Sequence, residues 1–264
     1  MSPDLASGNV SRGATGNIAT VTLTRPAAMN AISNAMAEEL RTAFEDVAED
    51  EDAWVVILRA EGDKAFCVGA DLKERGSFTL EDFYANRERI RSMFTALREV
   101  PQPVIASVFG FALGGGFELA LSCDLMIVAD DVTLGLPETR VGLIPAGGGT
   151  QLLTRKVGAA RAKDLILRSR RFDARTAREM GLVSSVVPRD RLDKETHELA
   201  LELCKSSPVA NRAAKSAIDH ALGLPLEDGI EAEHEGWATV IESEDRLEGI
   251  AAFNEKRDPR WNNR

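Results

Sequence analysis

Cysteine is scarce in this 264-residue chain, and Cys67, Cys123 and Cys204 are odd in number and far apart. That pattern argues against a disulfide framework and fits a reducing compartment, so a cytoplasmic protein is expected. Histidine is equally scarce: His197, His220 and His234 all fall in the C-terminal third, none at metal-ligand spacing from a cysteine or a second histidine. No metal site and no histidine-based triad is predicted. No long apolar run occurs either. The uncharged stretch Gln102 to Phe117 ends in glycines and is too short to span a bilayer, and the N-terminus lacks the basic-then-apolar pattern of a signal peptide. A formal charge of -10 disfavours nucleic acid and anionic membranes as main partners.

Several familiar α/β assignments fail for want of a motif. There is no G-x-x-x-x-G-K-[ST] phosphate loop, no G-x-G-x-x-G after an early strand, and no G-x-S-x-G elbow. What is present is an ordinary globular composition, 44% hydrophobic and 28% charged, over a length suited to one α/β domain with an appendage. Residues 1–16 carry no strong pattern and are expected to fray. Strands are predicted at Ile18 to Thr24, Trp54 to Arg59, Val104 to Val108, Leu125 to Ala129, Thr133 to Leu136 and Leu182 to Val187. Ser33 is placed to cap a helix whose apolar face is Met36, Leu40, Ala43, Phe44 and Val47, and Phe83, Ile90, Phe94 and Leu97 mark a longer one. The stretch from Ala60 to Ala70 reads as a loop. Strand, loop and helix thus recur from residue 18 to residue 149, which predicts a wound α/β core with parallel strands over residues 17–200. From Val157 onward the pattern is mainly helical, with Pro208 and Pro225 at helix starts, so residues 201–264 are expected to form a helical oligomerisation or lid region.

The chain is organised around A-L-G-G-G-F-E-L-A-L-S-C-D at 112–124. Glycines let another group approach the backbone, and the first amides of a helix starting near Gly114 have no intrahelical partner. Glu118 can lean back toward those amides. One turn would then supply an oxyanion donor at Gly115 and an acid/base; the alternative is tight packing with a solvated first-turn glutamate. The loop C-V-G-A-D-L-K at 67–73 can present a second amide, that of Ala70, and two such amides aimed at one oxygen form an oxyanion hole. Glu138, in L-P-E-T-R, is a second candidate acid/base, with a surface turn paired to Arg140 as the alternative. Cys67 is either a reactive loop thiol or a small buried one, and Phe117 either shapes a pocket or fills the core.

Taken together, C-V-G-A-D-L-K-E, A-L-G-G-G-F-E-L-A-L-S-C-D and G-L-P-E-T-R-V-G-L-I-P-A-G-G-G-T-Q resemble the enoyl-CoA hydratase/isomerase, or crotonase, superfamily. The likeness runs from T-L-T-R-P-A-A-M-N-A at 22–31 to D-R-L-E-G-I-A-A-F-N-E-K-R at 245–257. It implies a crotonase-like spiral of ββα units, a helical C-terminal trimerisation region, and a homo-oligomer, trimer or hexamer. It further implies an acyl-CoA thioester as substrate, with no separate cofactor, whose oxygen meets the amides of Ala70 and Gly115. Glu118 and Glu138 would share water activation and protonation of the α-carbon. By the same likeness the backbone around Val68 and the ammonium of Lys73 meet the adenine and phosphates of CoA, Ala28 and Met29 lie along the pantetheine, Asp71, Leu72, Gly114 and Pro137 are further substrate or CoA contacts, and Phe253 and Lys256 match a C-terminal contact that can come from a neighbouring subunit. Hydration of a 2-enoyl-CoA is the expected reaction, with Δ3-Δ2 isomerisation, methylglutaconyl-CoA hydration or a non-catalytic acyl-CoA- or RNA-binding role as alternatives. The branch containing methylglutaconyl-CoA hydratase has an RNA-binding animal member, but the early helix here, A-M-A-E-E-L-R-T-A-F-E-D-V-A-E-D, is acidic and reads as a solvated face.

Overall fold

The computed structural model describes residues 9–264. In chain order the elements are β1 (Val10–Thr15), β2 (Ile18–Leu23), α1 (Asn34–Ala48), β3 (Val55–Ala60), β4 (Ala65–Cys67), α2 (Leu72–Arg75), α3 (Leu80–Glu99), β5 (Val104–Val108), β6 (Phe111–Leu113), α4 (Gly115–Leu121), β7 (Leu125–Ala129) and β8 (Thr133–Gly135). There follow α5 (Gly149–Val157), α6 (Ala159–Leu167), β9 (Arg171–Asp173), α7 (Ala174–Glu179), β10 (Ser185–Val187), α8 (Leu192–Leu203), α9 (Pro208–Ala221), α10 (Leu226–Ile241) and α11 (Glu244–Glu255).

Two sheets share these strands. The larger runs β1-β2-β3-β5-β7-β10 and the smaller β4-β6-β8-β9. Only the edge pairs β1/β2 and β8/β9 are antiparallel; every internal pairing is parallel. The chain therefore lays one strand in each sheet and then a helix, as in β3-β4-α3 and β5-β6-α4, and this is the expected spiral of ββα units. Parallel neighbours require a crossover, which the helices provide.

Local sequence explains the larger elements. Ser33 caps α1 by accepting from the Met36 amide at 3.2 Å, and the five residues picked for its apolar face are all buried. A reciprocal Thr79–Asp82 capping box opens α3. Phe83 departs from the expected core face: it is 39% exposed and stands at a cavity.

Five expectations need correction. Residues 1–16 do not fray throughout: Val10–Thr15 pair residue for residue with β2 across a turn in which Gly16 has φ +58, while residues 1–8 lie outside the described residues. The stretch at 60–70 contains β4. A separate strand, β6, stands between Val108 and a helix that begins at Gly115, and β9 interrupts the helical C-terminal third. Strands of three residues are too short to show alternation, and their pairing energy comes from distant neighbours. The boundary near residue 200 cuts through α8, whose Leu192, Thr196 and Ala200 are buried against the large sheet.

One lysine links α9 to the core. From α9, Lys215 Nζ donates to the carbonyls of Val100 (2.8 Å) and Gln102 (3.0 Å) and to Asp124 Oδ2 (2.7 Å), which also accepts from the Val104 amide at 2.7 Å. Replacing Lys215 by Met strands a carboxylate and two carbonyls, and is expected to cost about 2 kcal/mol or more in urea unfolding. Lys194→Met, which breaks only the exposed pair with Glu198, is expected to cost less than about 0.5 kcal/mol.

Candidate active site

The site forms where the exit of β4 meets the start of α4, and it depends on backbone closeness. A side-chain carbon added to Gly116 would sit 2.0 Å from the Cys67 carbonyl oxygen, and one on Gly69 would lie 2.9 Å from the Gly115 nitrogen. Only glycine permits that approach. Ile32 donates to the Gly69 carbonyl at 2.8 Å and accepts from the Asp71 amide at 3.0 Å, so the amide of Ala70 between them points the other way. A carbon on Gly115 would come within 3.9 Å of that Ala70 nitrogen. Neither the Ala70 nor the Gly115 amide donates to any described residue. The two unpaired donors are therefore neighbours on a cavity of about 410 Å³ that both residues line.

Both candidate glutamates line the same cavity, along with Val68, Leu72, Gly114 and Pro137. Glu118 is 3% exposed. Its Oε1 accepts from the amides of Gly147 (2.7 Å) and Gly149 (2.8 Å). Burial pushes its pKa up, against the pull of those amides and of Arg87. Glu138 rides on a short 3₁₀ turn, Glu138–Val141, half-buried, with Oε2 enclosed and unpartnered. It makes no ion pair with Arg140. Burial, and then the negative charge of Glu118, raise its pKa to about 7. That turn is tethered by Thr139, whose hydroxyl donates to the Ile166 carbonyl at 3.1 Å and lies 2.6 Å from Ser169 Oγ.

Two carboxyl groups of unlike environment thus share one cavity with two orphan amides, which can donate to a substrate oxygen that gains negative charge. The family profile described as Enoyl-CoA hydratase/isomerase matches residues 13–264. This chain belongs to that family. Among relatives, the mouse "Enoyl-CoA hydratase domain-containing protein 2, mitochondrial" is 40% identical over 92% of this chain and 84% of its own length. The mouse "Methylglutaconyl-CoA hydratase, mitochondrial" is 39% identical over 88% and 75%. A crystal structure titled Enoyl-CoA Hydratase, from Bacillus anthracis, superposes with a TM-score of 0.95 at 41% identity, covering 97% of this chain and all of that one.

Within this member of the enoyl-CoA hydratase/isomerase family, the other positions singled out in the sequence are dispersed. Ala28 and Met29 sit beside the cavity loop, because the Val68 amide donates to the Met29 carbonyl at 3.2 Å. Asp71 caps α2 and pairs with Arg25 at 3.2 Å, so it holds the loop in place. Lys73 is exposed on α2. Phe253 on α11 is 83% exposed and Lys256 ends that helix in a left-handed conformation; neither lines the cavity of its own chain. Phe117 is buried and packs edge-on against Phe172 at 5.7 Å, which settles it as core. Cys67 is buried too, with its thiol pushed up to about 12 by desolvation. Among the described residues no three His, Cys, Asp or Glu side chains gather as a metal site, and no helix is long and apolar enough to cross a membrane.

Gly147 and Gly149 were missed as partners of Glu118. The glycine run at 147–149 hints at a close approach, but nothing in sequence says to what. A carbon on Gly149 would meet Glu118 Oε1 at 2.9 Å. Gly149→Ala is therefore expected to displace that carboxylate and lower kcat at least tenfold, a change of about 1.4 kcal/mol, with CoA-ester binding retained. Calorimetric titration alongside turnover checks both.

Proposed function

We propose that the chain hydrates a 2-enoyl-CoA thioester to the 3-hydroxyacyl-CoA. The observation that carries this is the pair of glutamates, differently held, in one cavity with the Ala70 and Gly115 amides. The thioester oxygen accepts from those two amides, which polarises the conjugated alkene. Glu118, its Oε1 fixed by two amide donors, stays ionised, and its Oε2 holds a water and takes the proton as the water oxygen attacks the β-carbon. The electron pair of the double bond moves onto the thioester oxygen. Glu138, still protonated near neutrality, then delivers its proton to the α-carbon. With both groups close enough for one charge to shift the other, addition to a single face, syn, is expected. One proton must finally pass from Glu118 to Glu138 to reset the pair. This chemistry requires no cofactor, coenzyme A being part of the substrate.

Two amide donors aimed at one oxygen act on charge that appears only in the transition state, where each is worth about 2.7 to 4 kcal/mol. The proton transfers contribute a further factor of about 10² to 10⁴ each. Isomerisation of a 3-enoyl-CoA is the second reading, favoured by Glu138 alone: an unpartnered carboxyl near pH 7 can carry a proton from one carbon to another. Assembly as a trimer or hexamer, with Phe253 and Lys256 meeting a neighbour's CoA, and residence in the cytoplasm are part of the same proposal.

The test is loss of the enoyl-thioester absorbance of crotonyl-CoA. Glu118→Gln and Glu138→Gln are each expected to lower kcat by about 10² or more with CoA-ester binding intact; undiminished turnover in either variant sinks the two-glutamate mechanism. The profile of kcat/KM should be bell-shaped. Activity falls on the alkaline side as Glu138 loses its proton through about pH 7, and on the acid side as Glu118 gains one. A 3-enoyl-CoA supplied in parallel separates the isomerase reading.

A further inference from the structure

Oε1 of Glu118 is held by a loop with little conformational preference of its own. Residues 147–149 are three glycines in a row, and glycine leaves each peptide group free to turn over. Their direction is set from outside the loop, at the carbonyl ends. Arg87, on α3, donates from Nη1 to the Ala146 carbonyl at 2.7 Å. The other end of that same peptide group, the Gly147 N–H, donates to Glu118 Oε1 at 2.7 Å. Arg98, about three turns further along α3, donates from Nη1 to the Gly147 carbonyl at 3.3 Å. The amide of that second peptide group, Gly148 N–H, is among the donors that favour the charged form of Glu118. The Gly148 carbonyl accepts from the amides of Gln151 (2.9 Å) and Leu152 (2.8 Å) in the first turns of α5, and the Gly149 N–H donates to Glu118 Oε1 at 2.8 Å. Three successive peptide groups therefore point alike, with their amides toward the carboxylate, and two of the three are held there by a guanidinium.

A trans peptide group carries its C=O and N–H on opposite sides. A cation at the oxygen and an anion at the hydrogen polarise it in the same sense, which strengthens both hydrogen bonds. Turned over, the 146–147 group would present a carbonyl oxygen to Glu118 and an N–H to Arg87, repelling both. Arg87 is exposed, so its direct attraction for Glu118 is screened by water, and the peptide group between them carries the connection. We propose that Arg87 and Arg98 are positioning residues for the reaction, which fix the direction of the 146–147 and 147–148 peptide groups and so hold the Glu118 carboxylate in place as the base. This rests on the hydration reading above and adds two residues to its machinery. The other charged groups facing Glu118 are Glu138, across the cavity, and Arg75, Arg140 and Arg171 on the cavity wall. α4 carries no second charge, and α5 meets Glu118 with backbone.

The experiment follows the Glu118 carboxyl by carbon-13 NMR in the unliganded enzyme and, in parallel, kcat and KM against pH with crotonyl-CoA. Arg87→Met and Arg98→Met are each expected to raise the Glu118 midpoint by about 0.5 in pH or more, because the charged form loses support, and to move the acid limb of kcat/KM upward with it. Each should lower kcat about tenfold while KM, and the Kd for butyryl-CoA, change less than about threefold. Arg87→Lys, which keeps a charge and a donor, should recover most of the loss. Arg91→Met removes the same charge from the same helix but only an exposed pair with Glu88 at 3.6 Å, and should leave midpoint and kcat at the parent's values. An unmoved midpoint in both Met variants overturns the proposal. So does an Arg91→Met variant that shifts as much, since charge on α3 rather than the direction of the peptide groups would then be responsible. Where a Met variant does not fold, the corresponding Gln variant, which retains an N–H donor and loses the charge, must still raise the midpoint above the parent's, and failure to do so overturns the proposal too. The midpoint needs no turnover, so it decides the matter even if crotonyl-CoA is not hydrated and the hydratase reading falls.

Discussion

Backbone pressed on backbone, where the exit of β4 meets the start of α4, is the constraint on which the site depends. The carbonyl of Cys67 lies where any side chain at 116 would have to be, and the Gly115 nitrogen lies against Gly69. Because the two segments touch with nothing between them, the amides of Ala70 and Gly115 come out side by side, and neither is consumed by a hydrogen bond to another described residue. The spiral makes this possible. Each turn of it places a short strand in the smaller sheet, and β4, β6 and β8 bring Ala70, Gly115 and Glu138 to the ends of three adjacent parallel strands.

On that platform the two carboxyl groups are set apart by what surrounds them. Glu118 is the more buried, yet it receives two backbone amides; Glu138 is less buried, yet one of its oxygens receives nothing. Hydrogen bonds to the charged form favour ionisation, whereas a neighbouring negative charge opposes it. Burial raises both carboxyl groups, Glu138 to about 7, while only Glu118 has backbone amides opposing that rise from across the cavity. A site that must take a proton from water and give one to carbon needs that asymmetry.

Much of this was legible in the sequence because it is local. The caps and apolar faces of α1 and the buried runs of β2, β3, β5 and β7 follow from neighbours three or four residues away or from alternation. The glycine run before Glu118 and the loop ending at Ala70 announced backbone donors. The short strands β4, β6 and β9 were not legible, since three residues carry no period and their partners lie far along the chain. Nor was the setting of Glu118, because its two donors are 29 and 31 residues away. Arg75 reads as one more charge in D-L-K-E-R until the fold shows that it lines the cavity and donates to Asn86.

The most direct measurement is a carbon-13 NMR titration of the glutamate carboxyl groups in the unliganded enzyme, with Glu118 and Glu138 identified by their Gln variants. The account requires Glu138 to titrate at about 7 and Glu118 to ionise before it, leaving a span of pH in which one is charged and the other neutral. A Glu138 midpoint near the unperturbed value of about 4.3, or Glu118 as the last of the two to ionise, would contradict it.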